Sequence, residues 1–219
     1  NNESSRGAGV YVVNSNGTSL ASVNFMNVTL DGNESSQEGA GLFISSSDAS
    51  FYNCIITNNR SNANGGGVFS SSSSPIWTNC LFANNHSNQN GSAYATSDEP
   101  VFMNCNFVKN SAGSEGTLFL NSSTGTSVVN SILWNPGITE VRFNGTNNVI
   151  SFSNSLVAGG FDEISQHEFY SGNSVSWDNL GNIDYDPLFV AATDGDYRLS
   201  DYSPAIGAGT ATGAPTTDI

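Results

Sequence analysis

Positive charge is what this chain has least of. Its 219 residues include only five lysines and arginines against nineteen aspartates and glutamates, a formal charge of −14 at neutral pH. Such a surface repels phosphates and anionic lipids, so neither nucleic acid nor a membrane surface is expected as a partner. Polyuronates are disfavoured for the same reason unless cations bridge the like charges. Long apolar runs are missing too. No stretch approaches the ~18 residues of a membrane span, and no signal peptide is visible, which predicts a soluble or already processed chain. No segment carries helical periodicity. Cysteines number three, which leaves the redox compartment open. The two histidines, His86 and His167, are isolated in the sequence and are expected at the surface.

What is present is a repeat. Asn27, Asn53, Asn79, Asn104, Asn130 and Asn154 recur at intervals of 26, 26, 25, 26 and 24 residues, inside the phrases FMNVTL, FYNCII, WTNCLF, FMNCNF, VVNSIL and FSNSLV. A fixed period in this range signals one unit stacked on itself. The residue after each asparagine forms a column, Val28, Cys54, Cys80, Cys105, Ser131 and Ser155. Apolar columns stand three before it (Phe25 to Phe152) and two after it (Leu30 to Val157). Residues three apart on a straight strand face opposite ways, so these columns share an interior only if the backbone bends at the asparagine. Asparagine tolerates the left-handed conformation such a bend needs, and its amide can bond its equivalents above and below.

A second signature, Gly41-Leu42-Phe43, Gly67-Val68-Phe69, Ala93-Tyr94-Ala95 and Leu118-Phe119-Leu120, reads as a second strand of the same coil. The expected fold is all-β, a right-handed parallel β-helix solenoid with coils of about 25–26 residues. Leucine-rich repeats lack their leucine spacing here, and the apolar columns argue against disorder. Residues 1–160 are expected to be regular coils and 161–219 less regular carboxy-terminal coils of the same solenoid. Asn1-Asn2-Glu3-Ser4-Ser5 parallels Asn58-Asn59-Arg60-Ser61-Asn62, so the chain is expected to begin in the middle of a coil.

The pairing of GGGVF (65–69) with FANN (82–85) and FVKN (107–110) resembles the GGxI and FxxN repeats of polymorphic outer-membrane proteins and related bacterial β-helix adhesins. DPLF (186–189), GDYRLS (195–200) and SPAIGAG (203–209) look like the carboxy-terminal signature of secreted bacterial β-helix proteins of the choice-of-anchor Q group. These resemblances imply a secreted or surface-displayed solenoid, often adhesive or assembly-forming. The Ser-, Asn- and Gly-rich composition suits the same extracellular setting.

Catalytic chemistry finds little support. A lyase needs a base beside its substrate carboxylate, and Arg6, Arg60, Lys109, Arg142 and Arg198 are scattered over different coils. A glycosidase needs two facing carboxyl groups about 5–10 Å apart; Asp98-Glu99 and Asp162-Glu163 read as surface turns. Cys54, Cys80 and Cys105 fall in one interior column, where a stack of small buried hydrophobes competes with a metal or redox site. The metal candidate is the acidic tail, Asp184, Asp186, Asp194 and Asp196, whose paired carboxylates suit a structural Ca²⁺ as well as they suit turns. No other cofactor is expected. Serine runs at 45–47, 70–74 and 122–123 read as corners. Sequons such as Asn27-Val28-Thr29 and Asn121-Ser122-Ser123 are frequent, as this composition produces by chance. Tyr170, Trp177, Tyr185, Tyr197 and Tyr202 crowd the last third, where cap-like packing competes with a sugar site. The function expected is a non-enzymatic structural or adhesive surface protein, whose partners are its own coil ends, in a filament, or surface glycans. The alternative is a polysaccharide-binding or polysaccharide-degrading β-helix.

Overall fold

The structure is a computed structural model and describes residues 1–14, 23–114, 116–165, 171–212 and 214. The chain winds as a parallel β-solenoid with four stacked sheets. An inner-core sheet carries Val10–Val13, Leu42–Ser45, Val68–Ser71, Tyr94–Thr96, Leu118–Asn121, Val141–Asn144 and Ile164–Ser165. A second seven-stranded sheet runs from Val23–Met26 through Ala49–Tyr52, Ile76–Thr78, Val101–Met103, Thr126–Val129 and Val149–Ser153 to Ser174–Trp177. The third, here the lateral sheet, holds Thr29–Asp31, Ile55–Thr57, Leu81–Ala83, Asn106–Val108, Ile132–Trp134 and Leu156–Val157. A narrow corner sheet of five two-residue strands runs from Glu3–Ser4 to Ser111–Ala112 and closes the lower coils.

Alternation decides what lies inside. Like residues stack in register: Phe25 on Phe51 and Phe51 on Trp77, with Leu30, Ile56, Phe82 and Phe107 in the next sheet. The Phe51 and Trp77 rings lie 3.7 Å apart and nearly parallel, as do Phe82 and Phe107 at 4.6 Å. Each coil thereby buries its apolar face on its neighbours, the route by which a solenoid replaces a globular core.

The six repeated asparagines all adopt the left-handed conformation, with φ between 50° and 54°, at the bend into the lateral sheet. A second left-handed column, Asn58, Asn84 and Lys109, ends that sheet, and Ser46, Ser72 and Ser122 form a third. The serine runs are therefore bends. Between coils, Asn53 and Asn79 each donate to the preceding asparagine at 3.3 Å. Higher up this pattern gives way: the buried Oδ1 of Asn104 has no partner, and Asn130 and Asn154 bond the terminal segment.

The strong ladder is a different one. Asn33 donates both its backbone N–H and its Nδ2 to Asn59 Oδ1, at 3.0 and 2.9 Å. Asn59 repeats this on Asn85, Asn85 on Asn110 and Asn110 on Asn135. Asn2 starts the column. The same amides reach inward to the carbonyls of Leu30, Ile56, Phe82 and Phe107. Every bond along the column points the same way, so its last member needs an acceptor. Glu140 supplies it, with Oε1 taking the Asn135 N–H at 2.6 Å and Oε2 the Nδ2 at 2.9 Å.

Backbone proximity between coils explains the Gly65-Gly66-Gly67 run. A Cβ on Gly66 would stand 2.4 Å from the Ser92 carbonyl and 2.5 Å from the His86 backbone. Gly66→Ala is therefore expected to cost about 3 kcal/mol, at the top of the usual overpacking range. Gly125→Ala, which meets only the flexible Glu99 side chain, should cost much less. Urea unfolding of the two variants measures the difference.

Candidate functional site

The lateral sheet is a face that the chain covers with itself. Its two outward columns are Thr29, Ile55, Leu81, Asn106, Ile132 and Leu156, and Asp31, Thr57, Ala83, Val108 and Trp134. Aliphatic residues dominate the upper coils of both, which an outward face can hold only if something lies on it.

That cover is the carboxy-terminal segment. Ile183 bridges to Leu156, and beyond it Phe189–Ala191 pairs antiparallel with Asp196–Leu199. The two left-handed bend columns provide the moorings. On one edge Lys109 Nζ donates to the Ala192 carbonyl at 2.7 Å and Asn84 Nδ2 to the Tyr197 hydroxyl at 3.2 Å. On the other, Asn130 donates to the Thr210 carbonyl at 2.7 Å and accepts its N–H at 2.8 Å, while Asn154 donates to Ala208. Ala83 and Val108 are buried beneath.

Between segment and sheet remains a cavity of about 580 Å³. Its walls include Asn104, Asn106, Ser131, Tyr197, Arg198 and Ala205. Among the described residues no carboxylate or imidazole lines it. Arg198 is forked onto Asp196 at 2.9 and 2.6 Å. The hydrogen bonds from Arg198 hold the Asp196 carboxyl down at about 2. Asn106 makes no side-chain hydrogen bond to a described residue.

Of the tail carboxylates singled out in the sequence, two serve local turns, Asp186 accepting the Leu188 N–H and Asp196 the Arg198 N–H, while Asp184 accepts the Gly159 N–H 25 residues earlier. Asp194 closes the 3₁₀ turn Ala192–Asp194. Among the described residues no group of three or more His, Cys, Asp and Glu stands close enough to hold a metal ion.

Cys54, Cys80 and Cys105 are free thiols, buried one above another and donating to the carbonyls of Tyr52, Thr78 and Met103. The contact with the next cysteine, then burial, pushes the Cys54 thiol far above its ordinary range; Cys80 is raised likewise by Cys105. Thiols held protonated in this way are poor nucleophiles and poor metal ligands. The column ends on Asn182, whose Oδ1 accepts the Ser155 N–H.

Asp98 is buried, which pushes its carboxyl up to about 6. Asp162 and Glu163 sit exposed on the 3₁₀ turn Gly160–Glu163. His86 joins the corner sheet, its ring nitrogens bonded to Ser111 and Asn88. His167 and Tyr170 lie outside the described residues.

Two features go beyond what the sequence pattern suggested. One is the buried ladder with Glu140; its signal was the last letter of the FxxN phrase. The other is the register of Glu3 on Glu34 and of Glu34 on Arg60, along a shallow recess of about 210 Å³ in the corner sheet.

Compared with known proteins, residues 1–161 match the family described as a right handed beta helix region. No curated protein and no solved structure matches the chain.

Proposed function

Because the chain belongs to the right-handed β-helix family, we propose that it works as a non-enzymatic extracellular solenoid, a rigid adhesive rod that holds surface glycans. The observation that carries this reading is the state of its bases. Arg6 pairs with Glu38, Arg198 with Asp196, Arg60 bonds Asn88 and Lys109 the Ala192 carbonyl, while Arg142 is engaged as well. Arg6 and Arg60 tie neighbouring coils together and Lys109 moors the terminal segment, and a lyase base must be free to take a proton. The Ser- and Asn-rich surface offers many neutral donors and acceptors to hydroxyl-rich partners.

Hydrolysis is a second reading with one observation in its favour. Glu3 and Glu34 stand on adjacent strands in register, about 4.8 Å apart at the backbone, which approaches the spacing of a retaining carboxylate pair.

One panel separates the readings. The protein is incubated with insoluble and soluble neutral and acidic polysaccharides, following retention, new reducing ends and unsaturated ends. Retention without product is expected. New reducing ends that disappear in Glu34→Gln establish hydrolysis instead, and absence of retention across the panel refutes the adhesive role.

A further inference from the structure

Asn106 is out of keeping with its column. Ile55 and Leu81 precede it and Ile132 and Leu156 follow it, in register on the lateral sheet. An aliphatic side chain would fit the cover laid over that face. A carboxamide stands there instead, facing the cavity, with no hydrogen bond to a described residue. Two residues earlier, Asn104 adds a carbonyl oxygen that also lacks a partner. Asn106 is half-buried, so its carboxamide is open to an external partner from the cavity.

We propose that the cavity beneath the terminal segment binds a neutral oligosaccharide strand, with Asn106 bonding its hydroxyl groups. The assignment rests on the glycan-binding reading above and gives it a site and a ligand class.

The chemistry of the walls sets that class. A carboxamide both donates and accepts, as a sugar hydroxyl does, so Asn106 can serve neighbouring hydroxyls through its nitrogen and its oxygen. Tyr197 adds an aromatic side chain, a common companion of sugar rings. Charge selection works by cancellation. Among the described residues Arg198 is the one ionic group on the walls, and Asp196 neutralises it. With a net charge of −14 around it, the cavity offers no compensation to a uronate. Its volume of about 580 Å³ falls within the ~300–1,000 Å³ of ordinary small-ligand sites. Moorings on both edges of the sheet hold the walls in place before binding, which limits the ordering cost.

The test is calorimetric titration of the whole chain with cellotetraose, mannotetraose and tetragalacturonate. The wild-type protein should bind at least one neutral tetrasaccharide and not tetragalacturonate. Asn106→Leu restores the aliphatic column and should melt no lower than wild type, yet bind about tenfold more weakly, as loss of one well-placed hydrogen bond implies. Ala205→Trp fills the cavity from the opposite wall and should abolish binding, which keeps the test decisive if Asn106→Leu folds poorly. Asp196→Asn leaves the Arg198 charge uncompensated and should admit tetragalacturonate.

Undiminished binding in both cavity variants overturns the site while leaving the glycan reading intact. Absence of wild-type binding, in a protein the polysaccharide panel also fails to retain, removes both. Tetragalacturonate bound by wild type, or still excluded by Asp196→Asn, overturns the charge argument.

Discussion

Glu140→Gln is expected to make the protein more stable at pH 8 while leaving its stability at pH 4.5 nearly unchanged. Glu140 is fully buried, and desolvation raises its carboxyl from 4.5 to about 7; the Asn135 bonds oppose the shift and Glu163 adds repulsion. The folded chain therefore keeps a proton between these values that the unfolded chain releases. Stability falls as pH rises through this window and levels off above it. The rise from 4.5 to about 7 corresponds to a difference on the order of 3 kcal/mol. For a chain of this length that is roughly 6–12 °C in melting temperature.

The Glu140→Gln substitution removes the titration and can keep the bonds. Each ladder asparagine already accepts two N–H groups on a single Oδ1, and a glutamine Oε1 can do the same for Asn135. Glu140→Ala differs, because it strands two buried donors at about 1–3 kcal/mol each and should destabilise at every pH. Asp98, raised from 3.8 to about 6, contributes a separate decline between those two values that both proteins share. The wild-type minus Glu140→Gln difference, followed by thermal melting from pH 4.5 to 8, isolates Glu140. A difference that does not change across this range would refute the account.

Asn85→Ala is expected to cost far more than Asn104→Gly, although both remove a repeated asparagine from the same stretch of coil. Truncation at Asn85 leaves the Asn59 N–H and one of its two Nδ2 hydrogens without an acceptor, the other still reaching Leu30, and the Ile56 carbonyl without this donor. Three buried polar groups at about 1–3 kcal/mol each put the loss on the order of 5 kcal/mol. Asn104 holds φ at 54° and its Oδ1 bonds nothing. Glycine accepts that conformation freely, so Asn104→Gly should stay within about 1 kcal/mol of wild type. Urea unfolding decides, and equal losses would show that the bend column and the buried column contribute alike.

These two asparagines mark the limit of what can be read without coordinates. Asn104 announces its role through local context: it falls between an apolar residue two before and an interior residue one after, so the chain must bend there. Asn85 stands in an equally regular column, but whether its amide faces solvent or the coil above depends on two turns of backbone tens of residues apart. Glu140 carries no local signal, since the need for an acceptor arises only from the direction of the ladder beneath it. Cys54, Cys80 and Cys105 were placed in one column by spacing alone, while their inertness follows from burial.

The carboxy-terminal third shows the same division. DPLF and GDYRLS can be recognised as phrases, yet where they dock cannot be derived from them. Tyr197 meets Asn84 across 113 positions and Thr210 meets Asn130 across 80. The residue pattern was enough to define the all-β solenoid, its period, its interior columns and its bends. Those depend on alternation and on which residues accept a left-handed backbone, interactions that act within a few residues and repeat in every coil. The direction of the buried ladder, the burial of Glu140, the ties of the tail carboxylates and the covered cavity on the lateral sheet emerge only in three dimensions. Each depends on a surface that exists only after several coils have stacked and the terminal segment has folded back across them.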